Sequence, residues 1–200
     1  MVIVEEIIEG SEDVLKTVEE LKKDGNQHFG EGDWSGAAEK YEEALRLCPE
    51  EASTQKSLLL SNLAAAFIKQ EEWQKAAENA SRAIELGVPN EKALERRAFA
   101  YSNLSEKYES SIEDYEQILT LYPNRTYIRQ KIDNVRKKID QRNEELKTDV
   151  LQKLKGLGDF CLKPFGLSTD SFELKPNSEG GYSIQMRDRP NTQEENQSSA

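Results

Sequence analysis

The chain has 200 residues, of which 36% are hydrophobic, and its 27 basic and 38 acidic side chains give a formal net charge of −11. This length and composition are typical of one domain of moderate size with additional tails. The excess of acidic groups argues against nucleic acid or an anionic membrane as the main partner, and no apolar run approaches the ~20 residues that a membrane-spanning helix needs.

The N-terminal residues 1–13 are acidic, and we expect them to be loosely structured. Met1–Ile8 is too short and too acidic for a secretory signal peptide. Without a secretory signal, the two cysteines, Cys48 and Cys161, are predicted to be reduced thiols. We therefore expect a cytoplasmic protein with access to the nucleus.

Between residues 14 and 123, small and aromatic residues recur in the same order three times. The copies contain Gly25, Gly32, Trp34, Ala37, Tyr41, Ala44 and Pro49, then Ala64, Phe67, Trp73, Ala76, Ala80 and Ala83, and then Ala98, Tyr101, Tyr108, Ser111, Tyr115, Ile118 and Pro123. This order matches the tetratricopeptide signature, in which each copy is a helix-turn-helix unit that buries its apolar face against its neighbours. The register predicts repeats at about 18–51, 57–90 and 91–124.

Two departures from the ~34-residue period add residues to the array. Roughly five lie at the first junction, Glu50–Lys56, where we expect a longer helix or loop. One more lies in the inner turn of the third copy, Ser105–Lys107. The large aromatic residues of the repeats are predicted to lie in the core: Trp34, Tyr41, Trp73 and Tyr115.

After Pro123 the apolar residues continue at helical spacing on one face, with charged residues on the other. This pattern is typical of the helix that closes a repeat array, because its outer face must meet water. It predicts a capping helix over 124–158 that ends at Gly156 and Gly158.

Residues 159–186 contain too many apolar groups for a free tail. Alternation on either side of Asn177–Gly181 is compatible with a short hairpin. We favour an extension that packs back on the repeats and buries Phe165 and Phe172. The last residues, 187–200, are polar and are predicted to be disordered.

Polar residues recur at related positions in the first helices of the three repeats: Lys22, Asn26, Asn62, Lys92 and Arg96. The first and the last two are pairs spaced i,i+4, so each pair shares one helix face. First helices line the concave surface of such an array, so all five are predicted to point into one groove. Amide donors, compact ammonium groups and a planar guanidinium are suited to hold a chain-terminal carboxylate. The sequence therefore predicts a groove for the acidic C-terminal tail of another protein.

These positions resemble the carboxylate-clamp subclass of tetratricopeptide domains. The matching motifs are Leu21-Lys22-Lys23-Asp24-Gly25-Asn26, Ser61-Asn62-Leu63-Ala64-Ala65 and Lys92-Ala93-Leu94-Glu95-Arg96-Arg97-Ala98. The resemblance implies an all-α fold, a right-handed superhelix of three helix-turn-helix repeats with a long C-terminal capping helix and a short non-helical extension. It also implies a co-chaperone or adaptor that binds the Glu-Glu-Val-Asp tails of heat-shock chaperones of the ninety- and seventy-kilodalton classes. Ala65 and Ile68 would then floor a pocket for the Val side chain, and Lys69 would reach an upstream Glu.

The segments 154–159 and 162–172 are similar to the ending of the tetratricopeptide repeat protein 1 family. No enzyme, metal site or cofactor is predicted, because His28 is the only histidine and no phosphate loop, nucleophile elbow or kinase signature is present. We expect a monomer that binds a chaperone tail and a second, unknown client. The alternative is a scaffold that binds a signalling protein such as a GTPase through its convex face or through the C-terminal extension.

Overall fold

The structure, a computed structural model, describes residues 2–176 and 182–187, and of residues 2–12 it describes the backbone alone. The helices are α1 (Val2–Glu31), α2 (Trp34–Leu47), α3 (Ser53–Lys69), α4 (Trp73–Glu85), α5 (Glu91–Tyr101), α6 (Tyr108–Leu121) and α7 (Tyr127–Leu162). Helix α1 thus starts within the N-terminal segment that we expected to be loose. Once the packed part of a helix has formed, each further residue adds one backbone hydrogen bond at little cost, which favours such an extension.

Each helix from α1 to α6 packs against the next one along the chain, and α3 also packs against α5. Alanines at the predicted interface positions, such as Ala37, Ala64 and Ala98, are fully buried. Gly25 lies so close to α2 that an added Cβ would be 2.6 Å from Cε1 of Tyr41. Small residues therefore allow the close helix approach that the repeat pattern predicted.

Of the aromatic residues predicted in the core, Tyr41 and Tyr115 are almost completely buried. Trp34 and Trp73 are only half-buried, so for them the prediction is wrong in part. Both are the first residues of their helices and sit beside an inner turn, where a large ring can cover the end of the core but not enter it. Trp34 packs edge-on against Phe29, with ring centroids 4.9 Å apart.

The inner turns of the three repeats differ in backbone conformation. Gly32 and Glu71 occupy the left-handed region with φ of 84° and 60°, which is costly for a residue with a side chain. In the third repeat the additional residue is accommodated by a short 3₁₀ helix, Ser105–Lys107. The additional residues at the first junction mainly lengthen α3, which has 17 residues against 11 in α5.

Residues 1–142 form one compact unit, and the first turns of α7 belong to its core. Ile128, Ile132 and Val135 of α7 pack with Tyr115 and Ile118 of α6. Arg97 of α5 also binds Asp114 of α6 through two hydrogen bonds of 2.8 and 2.7 Å. These contacts join α6 to both α5 and α7.

Residues 143–200 form a second unit. Here α7 does not stop at Gly156 and Gly158 as predicted but continues to Leu162. Gly158 instead allows a close approach, since an added Cβ would lie 2.6 Å from Cγ2 of Thr169. The helix ends where Pro164 enters a 3₁₀ turn, which is closed by Gly166 with φ of 68°.

A two-stranded antiparallel hairpin follows, with β1 (Phe172–Pro176) and β2 (Tyr182–Met186) in register. The predicted turn at 177–181 and the predicted disordered tail, apart from Arg187, lie outside the described residues.

The side chains of this extension differ from the sequence prediction. Phe172 is half-buried, but Phe165 is 78% exposed and Ile184 is 72% exposed. The burial predicted for Phe165 is therefore wrong. The contacts that hold this segment are polar: Thr169 donates to Asp159, and Lys155 pairs with Asp170 at 2.8 Å. None of the three residues of the 3₁₀ turn that contains Phe165 is buried.

Candidate peptide-binding groove

A hydrogen-bond network joins three of the five predicted groove residues across α1, α3 and α5. Asn62 Nδ2 donates to Asn26 Oδ1 at 3.4 Å, and Arg96 Nη1 donates to Asn62 Oδ1 at 3.3 Å. The same guanidinium nitrogen donates to the buried Ser61 hydroxyl at 2.6 Å. The three helices are therefore connected by side chains that the sequence placed on one face.

Tyr41 on α2 extends this network from below, because its hydroxyl donates to Asn26 Oδ1 at 2.8 Å. Burial raises the pKa of Tyr41, and the nearby Arg96 charge offsets this only in part, so the hydroxyl stays a donor at neutral pH. The carbonyl oxygen of Asn26 thus accepts two hydrogen bonds. Its two amide N–H donors take no part in this network and remain suited to hold an oxygen of a ligand.

Arg96 is held in place by burial as well as by its partners. Burial lowers the pKa of its guanidinium, and the charge of Glu95 opposes that shift. The ordinary pKa of arginine is so far above neutrality that the group remains charged. A positive charge with restricted motion is therefore presented at the centre of α5.

A pocket of about 360 Å³ lies beside this network. Its described lining residues come only from the odd-numbered helices α1, α3, α5 and α7: Phe29, Ala65, Ile68, Lys69, Lys92, Glu95, Arg96, Phe99 and Lys131. Apolar groups from α1, α3 and α5 face four cations and one carboxylate. The pocket can therefore take an apolar side chain that is flanked by negative charge.

Five of the eight residues predicted for the site line this pocket: Ala65, Ile68, Lys69, Lys92 and Arg96. Asn26 and Asn62 belong to the adjoining hydrogen-bond network. Lys22 is the outlier, because it lines no part of the pocket and pairs with Glu19 of its own helix at 2.5 Å. Lys92 is exposed and makes no ion pair with any described residue.

Sequence reasoning missed four residues of the pocket, namely Phe29, Glu95, Phe99 and Lys131. Glu95 and Phe99 share a face of α5 with Lys92, and the i,i+3 and i,i+4 spacing could have identified them. Lys131 comes from α7, which carries no repeat signature. No sequence signal therefore pointed to it.

The chain is similar to several known proteins, including the three that follow. Mitochondrial import receptor subunit TOM70 of Rattus norvegicus is 30% identical over 177 residues, which are 88% of this chain and 29% of that protein. The second TPR domain of the human RPAP3 protein, in complex with the HSP70 peptide SGPTIEEVD, has a TM-score of 0.56 at 25% identity, over 62% of this chain and 98% of that one. The myosin chaperone UNC-45 from C. elegans, in complex with a Hsp90 peptide, has a TM-score of 0.59 at 26% identity, over 77% of this chain and 17% of that one.

The chain has the tetratricopeptide fold. This confirms the all-α repeat superhelix predicted from the sequence. No protein-family model matches the chain, and it spans less than a third of the length of the TOM70 relative. Within the described parts of the chain, no helix combines the length and apolar character that are needed to cross a membrane.

Proposed function

We propose that this chain is a co-chaperone or adaptor that binds the acidic, free C-terminal tail of a heat-shock chaperone in the groove of its tetratricopeptide repeats. The observation that carries the proposal is the Asn26–Asn62–Arg96 network beside a pocket lined by Lys92. The proposed tail ends in Glu-Glu-Val-Asp. In this arrangement the terminal Asp carries two carboxylates, and the amides, Lys22, Lys92 and Arg96 form a carboxylate clamp around them.

The apolar floor of the pocket supports the same ligand. Ala65 and Ile68 lie beside the cations of Lys92 and Arg96. In the proposed tail a Val precedes the terminal Asp, so a small apolar side chain follows the carboxylates along the extended peptide. We propose Ala65 and Ile68 as its contacts and Lys69 as a cation for an upstream Glu.

The similar solved structures support this ligand class. RPAP3 and UNC-45 are in complex with HSP70 and Hsp90 peptides, and the RPAP3 ligand ends in Glu-Glu-Val-Asp. The formal net charge of −11 means that the whole-protein field repels an acidic peptide. Affinity must therefore come from the local cations of the groove. We further propose a cytoplasmic, non-catalytic monomer with a C-terminal segment of the tetratricopeptide repeat protein 1 type.

Calorimetric titration of the full chain with a nine-residue peptide ending in Glu-Glu-Val-Asp tests the proposal. A short peptide makes few contacts and loses conformational freedom on binding, so we expect a Kd on the order of micromolar. The Kd should increase with salt, because the contacts are ionic. Absence of binding at millimolar peptide would reject the proposed function.

Tyr41→Phe is expected to weaken binding of this peptide by about two- to tenfold. The substitution removes the hydroxyl that donates to Asn26 at 2.8 Å, and a typical hydrogen bond contributes about 0.5–1.5 kcal/mol. Asn26 can then rotate and lose its orientation toward the ligand. Tyr108→Phe is the control, because this half-buried ring packs against the core of the third repeat and lies outside both the network and the pocket. Equal Kd values for Tyr41→Phe and the parent chain would contradict the role of the network.

The exposed apolar residues of the second unit favour a second candidate function, a scaffold for a signalling protein such as a GTPase. Leu154 and Leu157 of α7, together with Phe165 and Ile184, are each more than half exposed. Exposed apolar side chains that adjoin one another on a surface are typical of interaction sites, and these four belong to the same compact unit. Such a site is compatible with the adaptor function, since an adaptor needs a second surface for its client.

Truncation after Leu162 is expected to change the melting temperature of the repeats by less than about 2 °C, because Phe165 and Ile184 contribute little buried area. Binding of the Glu-Glu-Val-Asp peptide in the groove should persist. Binding of a signalling GTPase, measured with the full chain and with its Phe165→Ser variant, should be weaker for the variant. A drop of several degrees on truncation would show instead that the segment stabilises the repeats, and would count against a client site there.

A further inference from the structure

Helix α7 brings one cation, Lys131, into the wall of the groove pocket. Its Nζ donates to Glu95 Oε1 of α5 at 2.6 Å. The second carboxylate oxygen of Glu95 accepts from the Tyr127 hydroxyl at 3.1 Å. The Lys131 side chain is 32% exposed and that of Glu95 is 26% exposed. The pair is therefore partly shielded but remains open to the pocket.

Three aromatic rings surround the Lys131 ammonium. Its Nζ lies 5.4 Å from the ring centre of Tyr127, 5.7 Å from Tyr115 and 5.9 Å from Phe99. Ring faces attract cations at this range. They hold the long lysine side chain in one orientation before any ligand binds, so that little conformational entropy is lost on binding.

The ammonium keeps capacity for a ligand. A lysine has three N–H donors, and among the described residues Lys131 makes one hydrogen bond, to Glu95. A ligand carboxylate can therefore bind beside Glu95 or take its place. Tyr127 would still donate to Glu95 in either case, because burial, followed by the charge of Glu95, raises the pKa of its hydroxyl.

Lys69, which we propose as a cation for an upstream Glu, belongs to α3 and so lies on a different wall of the pocket from Lys131 of α7. The Nζ of Lys69 lies 5.5 Å from the ring centre of Trp34, at the turn between α1 and α2. Lys92 and Arg96 lie beside the amide network that we assign to the chain end. Of the four described cations of the pocket, Lys131 is the one that forms an ion pair with an acidic side chain of the pocket wall, Glu95.

We propose that Lys131 selects an acidic side chain upstream of the C-terminal residue of the bound tail. In the groove without a peptide, the carboxylate of Glu95 occupies the position that this acidic side chain takes beside Lys131. This role rests on the proposed function, since it concerns the same peptide in the same groove. The ligand class becomes narrower: a free chain end preceded by an acidic residue that reaches the α5–α7 wall. Glu95 is a negative charge in that wall, so it weakens the binding of acidic peptides whose carboxylate does not replace Glu95 at Lys131.

The experiment couples protein variants to peptide variants. The parent peptide has nine residues and ends in Glu-Glu-Val-Asp, and two further peptides each carry Gln in place of one of the glutamates. Lys131→Met is expected to weaken binding of the parent peptide by about two- to fivefold, which corresponds to the energy of a partly exposed ion pair. One of the two Gln peptides lacks the glutamate that Lys131 binds. For that peptide, Lys131→Met should leave the Kd unchanged. Glu95→Gln should bind the parent peptide about twofold tighter.

Lys69→Met is the matched control, because it removes the same charge from the same pocket. It should retain the preference for the glutamate that Lys131 reads. Lys131→Met leaves Glu95 without its cation and could unfold the domain, so the double variant Glu95→Gln/Lys131→Met is measured as well. It carries no unpaired charge and should also lose the preference, with a melting temperature checked by circular dichroism.

The outcomes separate the two proposals. If the parent chain binds none of the peptides, the proposed function fails, and the selection by Lys131 fails with it. If the parent chain binds but Lys131→Met weakens all three peptides equally, or none of them, the groove function stands and Lys131 only fastens α7 to α5. Loss of one glutamate preference in both Lys131 variants supports the selection.

Discussion

Lys92→Ala is expected to weaken binding of a Glu-Glu-Val-Asp peptide by about tenfold or more, without lowering the melting temperature. Lys92 lines the pocket, is exposed and pairs with no described residue. Its proposed contact with the ligand is a charge-assisted hydrogen bond, which contributes about 1.5–3 kcal/mol. Removing an exposed side chain without partners should change the free energy of unfolding by less than about 0.5 kcal/mol. Calorimetric titration and a thermal melt measure both effects.

Lys137→Ala is the control for the change in net charge, since Lys137 is an exposed residue of α7 that does not line the pocket. It should bind the peptide nearly as well as the parent chain. An unchanged Kd for Lys92→Ala would remove Lys92 from the clamp. A loss of equal size in both variants would show that the peptide senses the overall charge and not a local site.

Arg96→Ala should weaken peptide binding to a similar degree, but this variant is also expected to lower the stability of the fold. Arg96 donates to Ser61 and Asn62, and Ser61 is buried. Its removal leaves these groups without their partner, which costs about 1–3 kcal/mol of stability. The sequence predicted only that Arg96 and Lys92 point into the same groove. The structure separates the two, because only one of them also supports the packing of α3 against α5.

The repeat part of the fold could be predicted because its signals are local and repeated. Alanines and tyrosines at fixed spacing define the buried face of each helix, and Ala64, Tyr41 and Tyr115 lie where that spacing placed them. The polar residues of the groove followed from the same register. Asn26, Asn62 and Arg96 lie on three separate helices and still meet, because neighbouring repeats pack in the same way.

The part of the groove formed by α7 could not be predicted in this way. Lys131 and Glu95 are 36 positions apart in sequence, and their contact depends on the angle at which the capping helix crosses α5. An apolar period specifies which face of α7 is buried but not that angle. The same limit explains Gly158, where a glycine reads as a helix stop but serves a close approach to Thr169. Both contacts are set by the tertiary packing of segments that are distant in sequence, which the residue types alone do not specify.

A peptide with an amidated C-terminus is expected to bind about tenfold or more weakly than the same peptide with a free carboxylate. Amidation removes one negative charge and replaces an oxygen acceptor with an N–H donor. The Arg96 guanidinium, already partly buried, would then face a neutral amide, which has one acceptor oxygen in place of two and no charge. Hydrogen bonds between charged partners are about twice as strong as neutral ones, which is why the effect should be large.

The matched control is acetylation of the peptide N-terminus, which also changes the charge by one unit but at the opposite end. It should leave the Kd within about twofold, because the groove cations are assigned to the chain end and to acidic residues near it. The difference between free and amidated peptides should shrink as salt is raised, since part of it is ionic. If amidated and free peptides bind alike while Lys92→Ala still weakens both, the groove reads internal acidic side chains. The cations of α5 would then serve a segment within a chain instead of its end.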